Sequence, residues 1–157
     1  MTKSTPTLNR DVMNNRYAMV DGMHTVAEAI QVAVTKNVSI LVVDKRNEHD
    51  EYGMVLMSDI ARKVLAKDKS SERTNIYEIM IKPVFSVPAD MDVRYTARLF
   101  ERFNINKAPV VESGSILGFV TYEDIVLKGM INTPLYDGTV IFARLEKRMF
   151  RFSGTYT

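Results

Sequence analysis

Two short stretches of this chain set a carboxylate at the start of a helix. In Gly118-Phe119-Val120-Thr121-Tyr122-Glu123-Asp124-Ile125-Val126 a short buried strand is predicted to stop at Thr121 and turn directly into a helix. Thr121 and Asp124 are helix-start residues, and Ile125 and Val126 open an apolar face. A helix start has free backbone N–H groups and a partial positive charge, so it can receive an anion. A hydroxyl and a carboxylate one turn apart at that place suit a phosphate and a ribose. Thr-x-x-Asp is also nearly a capping box, which needs no ligand at all. Both roles use the same helix N-terminus.

The arrangement occurs a second time, 65 residues upstream (118 − 53), in Gly53-Met54-Val55-Leu56-Met57-Ser58-Asp59-Ile60. Gly, the apolar pair and Asp stand at matching offsets. Leu56 takes the place of the threonine, so this copy keeps the carboxylate and lacks the hydroxyl. One such turn is a weak signal; two, at the ends of two similar halves, form a pattern.

The elements that must position these turns repeat as well. Residues 10–14 read as a short helical turn carrying Met13, and Ala18-Met19-Val20 as a strand. Thr25-Val26-Ala27-Glu28 is a capping box, followed at helical spacing by Val26, Ala29, Ile30, Ala33 and Val34. Ile40 to Val43 is a buried strand, Lys45 to Tyr52 a charged hairpin turn, and Met54 to Met57 the next strand. Ser58 to Lys67 is then a helix with Ile60, Val64 and Leu65 inward. After the charged linker 68–75 the series restarts: a turn at Ile76 to Met80, a strand at Phe85-Ser86-Val87, and an Asp92-capped helix with Val93, Ala97, Phe100 and Phe103 inward. The strands Ala108 to Val111 and Ile116 to Val120 and a last helix complete it. The offset between copies moves from 67 to 68 to 65 residues (80 − 13, 110 − 42, 118 − 53), so insertions fall in loops, as in a true repeat.

Each copy is thus strand–helix–strand–strand–helix, at 10–67 and 76–130, with an extension at 131–157. A unit of that size has little core of its own. The two copies are expected to pack sheet to sheet about a pseudo-twofold axis, as an α/β (α+β) fold.

Composition narrows the function. A net charge of +2 does not by itself imply nucleic acid, and 46% apolar with 25% charged residues is ordinary for a soluble protein. The absence of cysteine excludes a disulfide framework, a thiolate zinc site and a cysteine nucleophile, and suits the cytoplasm. Residues 1–10 lack the apolar core of a signal peptide, and no apolar run is long enough to span a membrane. No Ser/His/Asp set, metal-ligand spacing or phosphate-binding Gly-Lys-Thr loop is present, so neither an enzyme nor a metal site is expected.

The order and duplication of Gly53…Asp59, Met80…Pro83-Val84-Phe85-Ser86-Val87, Lys107-Ala108-Pro109-Val110-Val111-Glu112 and Gly118-Phe119-Val120-Thr121…Asp124 resemble a tandem pair of cystathionine-β-synthase (CBS) domains, a Bateman module. The resemblance covers roughly residues 10–130. It implies a regulatory module that binds an adenosine-containing ligand (AMP, ADP, ATP or S-adenosylmethionine) between the copies, requires no cofactor, and signals to an effector protein. It also implies a homodimer. Carried over residue by residue, it assigns Thr121 and Asp124 to the phosphate and ribose of a main pocket shared with Tyr17, Ala18, Met19, Val38, Ser39 and Ile40. A second pocket would take Asp59 with Val84, Phe85, Ser86, Asn106, Lys107 and Ala108, where Lys107 is suitably charged for a phosphate. Two departures are Leu56 in place of the hydroxyl and Leu41 where the second copy has Pro109. The alternative is a ligand-free structural or oligomerisation module.

Other features admit plainer readings. His49 in Glu48-His49-Asp50-Glu51 is either a weak cation site or a solvated turn. Arg94, Arg98 and Arg102 share one helix face, solvated or at an interface. The ten methionines suit core gaps, and Met19, Met54 and Met80 would also suit an adenine pocket. Beyond Met130, Ile141, Phe142, Leu145 and Met149 form a helical stripe beside Arg144, Lys147, Arg148 and Arg151, an extra packing element or a docking segment.

Overall fold

The computed structural model describes residues 5–130. Along it run α1 (Asn9–Val12), β1 (Ala18–Val20), α2 (Val26–Lys36), β2 (Ile40–Val43), β3 (Gly53–Leu56), α3 (Met57–Lys63), β4 (Val87–Pro88), α4 (Val93–Phe103), β5 (Lys107–Glu112), β6 (Ser115–Thr121) and α5 (Tyr122–Asp124). Wider turns continue α5 over Ile125–Gly129, and single 3₁₀ turns occupy Leu65–Lys67 and Ile76–Glu78. The result is a mixed α/β fold with two three-stranded sheets, β1-β2-β3 and β4-β5-β6. In each sheet the first pair is parallel and the second antiparallel.

The chain divides into a continuous unit, Asn15–Ser86, and a split unit made of residues 5–14 and 87–130. This division cuts across the sequence repeat in one respect. Each short lead-in folds on the elements of the other copy. In the split unit Asn9 N–H donates to Met91 O and Arg10 N–H to Ala89 O, while Val93 N–H donates to Thr7 O. In the continuous unit Ile76 N–H donates to His24 O, Tyr77 N–H to Gly22 O, and Val26 N–H to Thr74 O. Every donor and acceptor in one set lies 67 residues from its counterpart in the other (76 − 9, 91 − 24). Local sequence reads the lead-ins as helical turns because they are; which sheet they join is set by non-local pairing.

The helices begin and end where side chains can satisfy their termini. Thr25 Oγ1 accepts the Glu28 N–H at 3.1 Å, and Asp92 Oδ1 accepts the Arg94 N–H at 2.8 Å. α2 and α4 both stop at an asparagine in the left-handed region, Asn37 (φ 51°) and Asn104 (φ 53°), a conformation asparagine tolerates better than most residues. All four residues of β2 are buried. Val26, Ala29 and Ala33 of α2 pack with Leu41 and Val55 in one core, and Val93 and Phe100 of α4 pack with Ala108, Val110 and Val120 in the other. Phe100 is fully buried and meets the Tyr122 ring edge-on at 5.2 Å, so truncation to Ala would cost about 3–5 kcal/mol.

Several expected placements are corrected. Val34 is 69% exposed: it follows buried Ala33, and the next helical residue turns by roughly 100° away from the core. Leu65 is 75% exposed because α3 ends at Lys63 and a 3₁₀ turn resets the period. Phe103, 52% exposed, is the last residue before the chain reverses at Asn104 and lies near the Arg102 guanidinium instead. Met57 opens α3 rather than closing β3, and β4 covers only Val87–Pro88, leaving Phe85 and Ser86 outside it. The apolar stripe expected beyond residue 130 lies outside the described residues.

Candidate functional site

Both acidic turns form as the residue types dictate. β6 runs into α5 at Thr121, and Asp124 is buried at the first helical turn. Its Oδ2 accepts the Thr121 N–H (3.1 Å), the Thr121 hydroxyl (2.9 Å) and the Asn14 Nδ2 (2.7 Å). Thr121 Oγ1 in turn accepts the Asp124 N–H at 3.1 Å, which completes the capping box. Lys128, one turn further on, sets its Nζ 3.2 Å from Asp124 Oδ1 and also donates to Val12 O at 3.1 Å.

β3 runs into α3 in the same way at Leu56. Asp59, 1% exposed, accepts the Leu56 N–H on Oδ2 at 2.9 Å. With no hydroxyl at Leu56 the box is half made. Arg62 Nη2 lies 3.2 Å and Lys63 Nζ 3.8 Å from Asp59 Oδ1. Lys63 also donates to Ile79 O at 2.8 Å. Each buried carboxylate is therefore a cap with a cation beside it, and each lysine ties the helix to the lead-in. Burial of a carboxylate is tolerable only with such partners.

The other residues assigned by resemblance gather at the same end of each sheet. In the split unit Lys107 lies across the ladder from Thr121 and Ala108 across from Val120, while Asn106 O accepts the Tyr122 N–H at 3.1 Å. In the continuous unit Ile40 faces Leu56 and Ala18 faces Leu41, which sets Tyr17, Met19, Val38 and Ser39 near the same sheet end. Val84, Phe85 and Ser86 close that unit's chain. The side chains of Ala18, Ile40 and Ala108 are in the cores, so these three offer a ligand only their backbone. Met19, Ser39, Phe85, Ser86 and Asn106 are exposed.

A family model for the CBS domain matches residues 10–66 and again 76–130. The chain belongs to the CBS-domain family. A hexameric CBS-CP12 protein from bloom-forming cyanobacteria is similar in structure, at 30% identity and a TM-score of 0.74, over 96% of this chain and 90% of that one. The CBS domain pair of protein MJ0100, solved with 5′-methylthioadenosine and S-adenosyl-L-methionine, is 29% identical with a TM-score of 0.65 over 78% of this chain and 94% of that one. Among curated proteins, an uncharacterized protein of Methanopyrus kandleri is 29% identical over 56% of this chain. The chain spans only 44% of that protein, and 23% of a homoserine O-acetyltransferase of Methanococcus vannielii that is 25% identical.

Sequence reasoning about this CBS pair missed the residues that hold the acidic turns. Lys63 and Lys128 were legible as a lysine four residues after each aspartate, duplicated at an offset of 65 (128 − 63). Asn14 lies 110 residues from Asp124 and leaves no local signal. His49 is a turn residue whose N–H donates to Asn47 Oδ1, and its neighbour Asp50 is paired with Arg46 and Lys82. Arg94, Arg98 and Arg102 are exposed, with Arg98 over the Tyr95 ring. Among the described residues no helix is long and apolar enough to cross a membrane.

Proposed function

We propose that the chain is a regulatory module that binds an adenosine-containing ligand at its acidic turns and passes its occupancy to a partner protein. The observation that carries this reading is the duplicated buried aspartate, Asp59 and Asp124, each at a strand-to-helix turn of a CBS repeat. The neighbouring MJ0100 pair, solved with two adenosine-containing molecules, supports the ligand class. Asp124 and Thr121 act with Tyr17, Ala18, Met19, Val38, Ser39 and Ile40, and Asp59 with Val84, Phe85, Ser86, Asn106, Lys107 and Ala108. No catalytic role is assigned to any of them, and the module works in the cytoplasm. A ligand signals only by binding two states differently. Both carboxylates already hold cations and backbone donors, so a ribose must share or displace them. That exchange supplies a difference between states.

The same saturation favours a second reading, in which the caps are complete without ligand and the module only assembles. Calorimetry of the full chain with AMP, ADP, ATP and S-adenosylmethionine separates the two. Saturable binding of at least one, lost when both aspartates are changed to asparagine in a folded protein, supports sensing. No heat with any of the four supports assembly alone. Self-association belongs to both readings: Tyr95 and Phe103 on α4 and Val126, Leu127 and Met130 after α5 are exposed apolar side chains. A monomer by light scattering, with and without nucleotide, would remove the dimer from the proposal.

A further inference from the structure

At the carboxyl ends of β1 and β2 the continuous unit has an open pocket of about 450 Å³. This is the opposite end of the sheet from Asp59, which follows the carboxyl end of antiparallel β3. None of the residues assigned to the adenosine ligand lines it. Open α/β sheets place ligands in the crevice outside the carboxyl ends of parallel strands, and pockets of roughly 300–1,000 Å³ hold small molecules.

The lining combines an apolar surface with a charged rim. Val43 and Met80 form the apolar part and Tyr77, 51% exposed, offers its ring. Lys45, Arg46 and Lys82 bring three cations against two carboxylates, Asp21 and Asp44. Each carboxylate already commits one oxygen to a turn: Asp21 Oδ1 accepts the Met23 N–H and Asp44 Oδ1 the Lys45 N–H, both at 2.8 Å. The 45–52 hairpin is fixed beside the pocket by Asp50, which pairs with Arg46 and with Lys82. The hydrogen bond from Lys82 holds the Asp50 carboxyl well below the usual carboxylate range, so this tie stays ionised at ordinary pH.

The other repeat builds the same corner differently. Arg10 stands where the continuous unit has Tyr77, and it forms an ion pair with Glu112, the last residue of β5, at 3.4 Å. The eight-residue hairpin is replaced there by a tight turn through Ser113 (φ 51°) and Gly114 (φ 77°). The aromatic ring and the long charged hairpin are thus particular to one copy.

We propose that this corner is a binding site for a small planar organic anion, its ring against Tyr77 and Met80 and its acidic group at the Lys45 and Lys82 rim. Anilinonaphthalene sulfonate, an aromatic sulfonate, serves as the probe, titrated into the isotope-labelled full chain and followed by amide chemical shifts. The expected result is saturable shifts at Gly22, Met23, Lys45 and Tyr77. Tyr77→Ala, which removes the ring from the pocket wall, should weaken binding by about tenfold or more. Lys82→Gln should weaken it less, and Asp59→Asn and Asp124→Asn should leave it unchanged, which separates this site from the adenosine reading. Wild-type affinity in a folded Tyr77→Ala variant would overturn the proposal. So would non-saturating shifts centred on the exposed Val126 and Leu127.

Discussion

The continuous and split units share a backbone and differ in the side chains set on it. Their lead-ins make the same hydrogen bonds at an offset of 67 residues, and their lysines clamp equivalent carbonyls, Ile79 O and Val12 O. Where the split unit buries a polar pair, Thr96 Oγ1 donating to Asn9 Oδ1 at 2.7 Å, the continuous unit buries Ala29 and Ile76. Where Asn14 donates to Asp124, Ile81 stands in the other copy and Arg62 supplies the charge to Asp59 instead. Backbone groups must be paired whatever the sequence, so the frame is duplicated. Side chains need only satisfy one another, so each copy is free to solve that problem its own way and to specialise.

Among the differences between the two units, the largest expected effect is at the buried pair. Asn9→Ala strands the Thr96 hydroxyl and removes the donor to Pro88 O, now at 2.8 Å. It should destabilise the protein by about 2–3 kcal/mol. The double change Asn9→Ile with Thr96→Ala copies the continuous unit and should recover most of that loss, because two apolar partners need no hydrogen bond. Urea unfolding of the three proteins checks this. A double variant no better than the single one would mean that the two units are not interchangeable at this position.

The acidic turns come next. Asp124→Ala should remove most of the AMP-induced rise in melting temperature and Asp59→Ala should leave much of it, because only the Asp124 turn has a hydroxyl beside the carboxylate. A charge-assisted hydrogen bond is worth about 1.5–3 kcal/mol, or tenfold and more in affinity. The Thr121 hydroxyl donates to Asp124, so this gain requires the hydroxyl to rotate toward the ligand. Leu56→Thr sharpens the test by giving the weaker turn the missing group; AMP should then bind the Asp124→Ala background more tightly. Equal losses from the two alanine variants would show that Lys107 outweighs Thr121.

Smaller effects test what the units share. Lys63→Met and Lys128→Met should each cost about 1 kcal/mol in chemical unfolding, nearly equally, since each half-exposed lysine loses one carbonyl and one carboxylate partner. A loss confined to one of them would mean that only that clamp matters. The smallest change is expected from removing residues 137–157, which contain none of the assigned ligand residues. Calorimetric AMP affinity should hold, and its loss in a folded truncation would tie the extension to the site.

The sequence by itself determined the elements, their duplication, the caps at Thr25, Asp92 and Thr121, and the burial of β2, because all of these are written in spacings of a few residues. It located both acidic turns for the same reason. It misjudged Val34, Leu65 and Phe103, where a helix ends or its face is already filled, since periodicity does not say where packing stops. The tertiary structure alone decided that each lead-in joins the other copy's sheet, that Asn14 reaches Asp124 across 110 residues, and that Tyr77 faces a pocket while its counterpart Arg10 pairs with Glu112. Those contacts join residues far apart in the chain, and the free energy that selects them comes from pairing and burial that no local window contains.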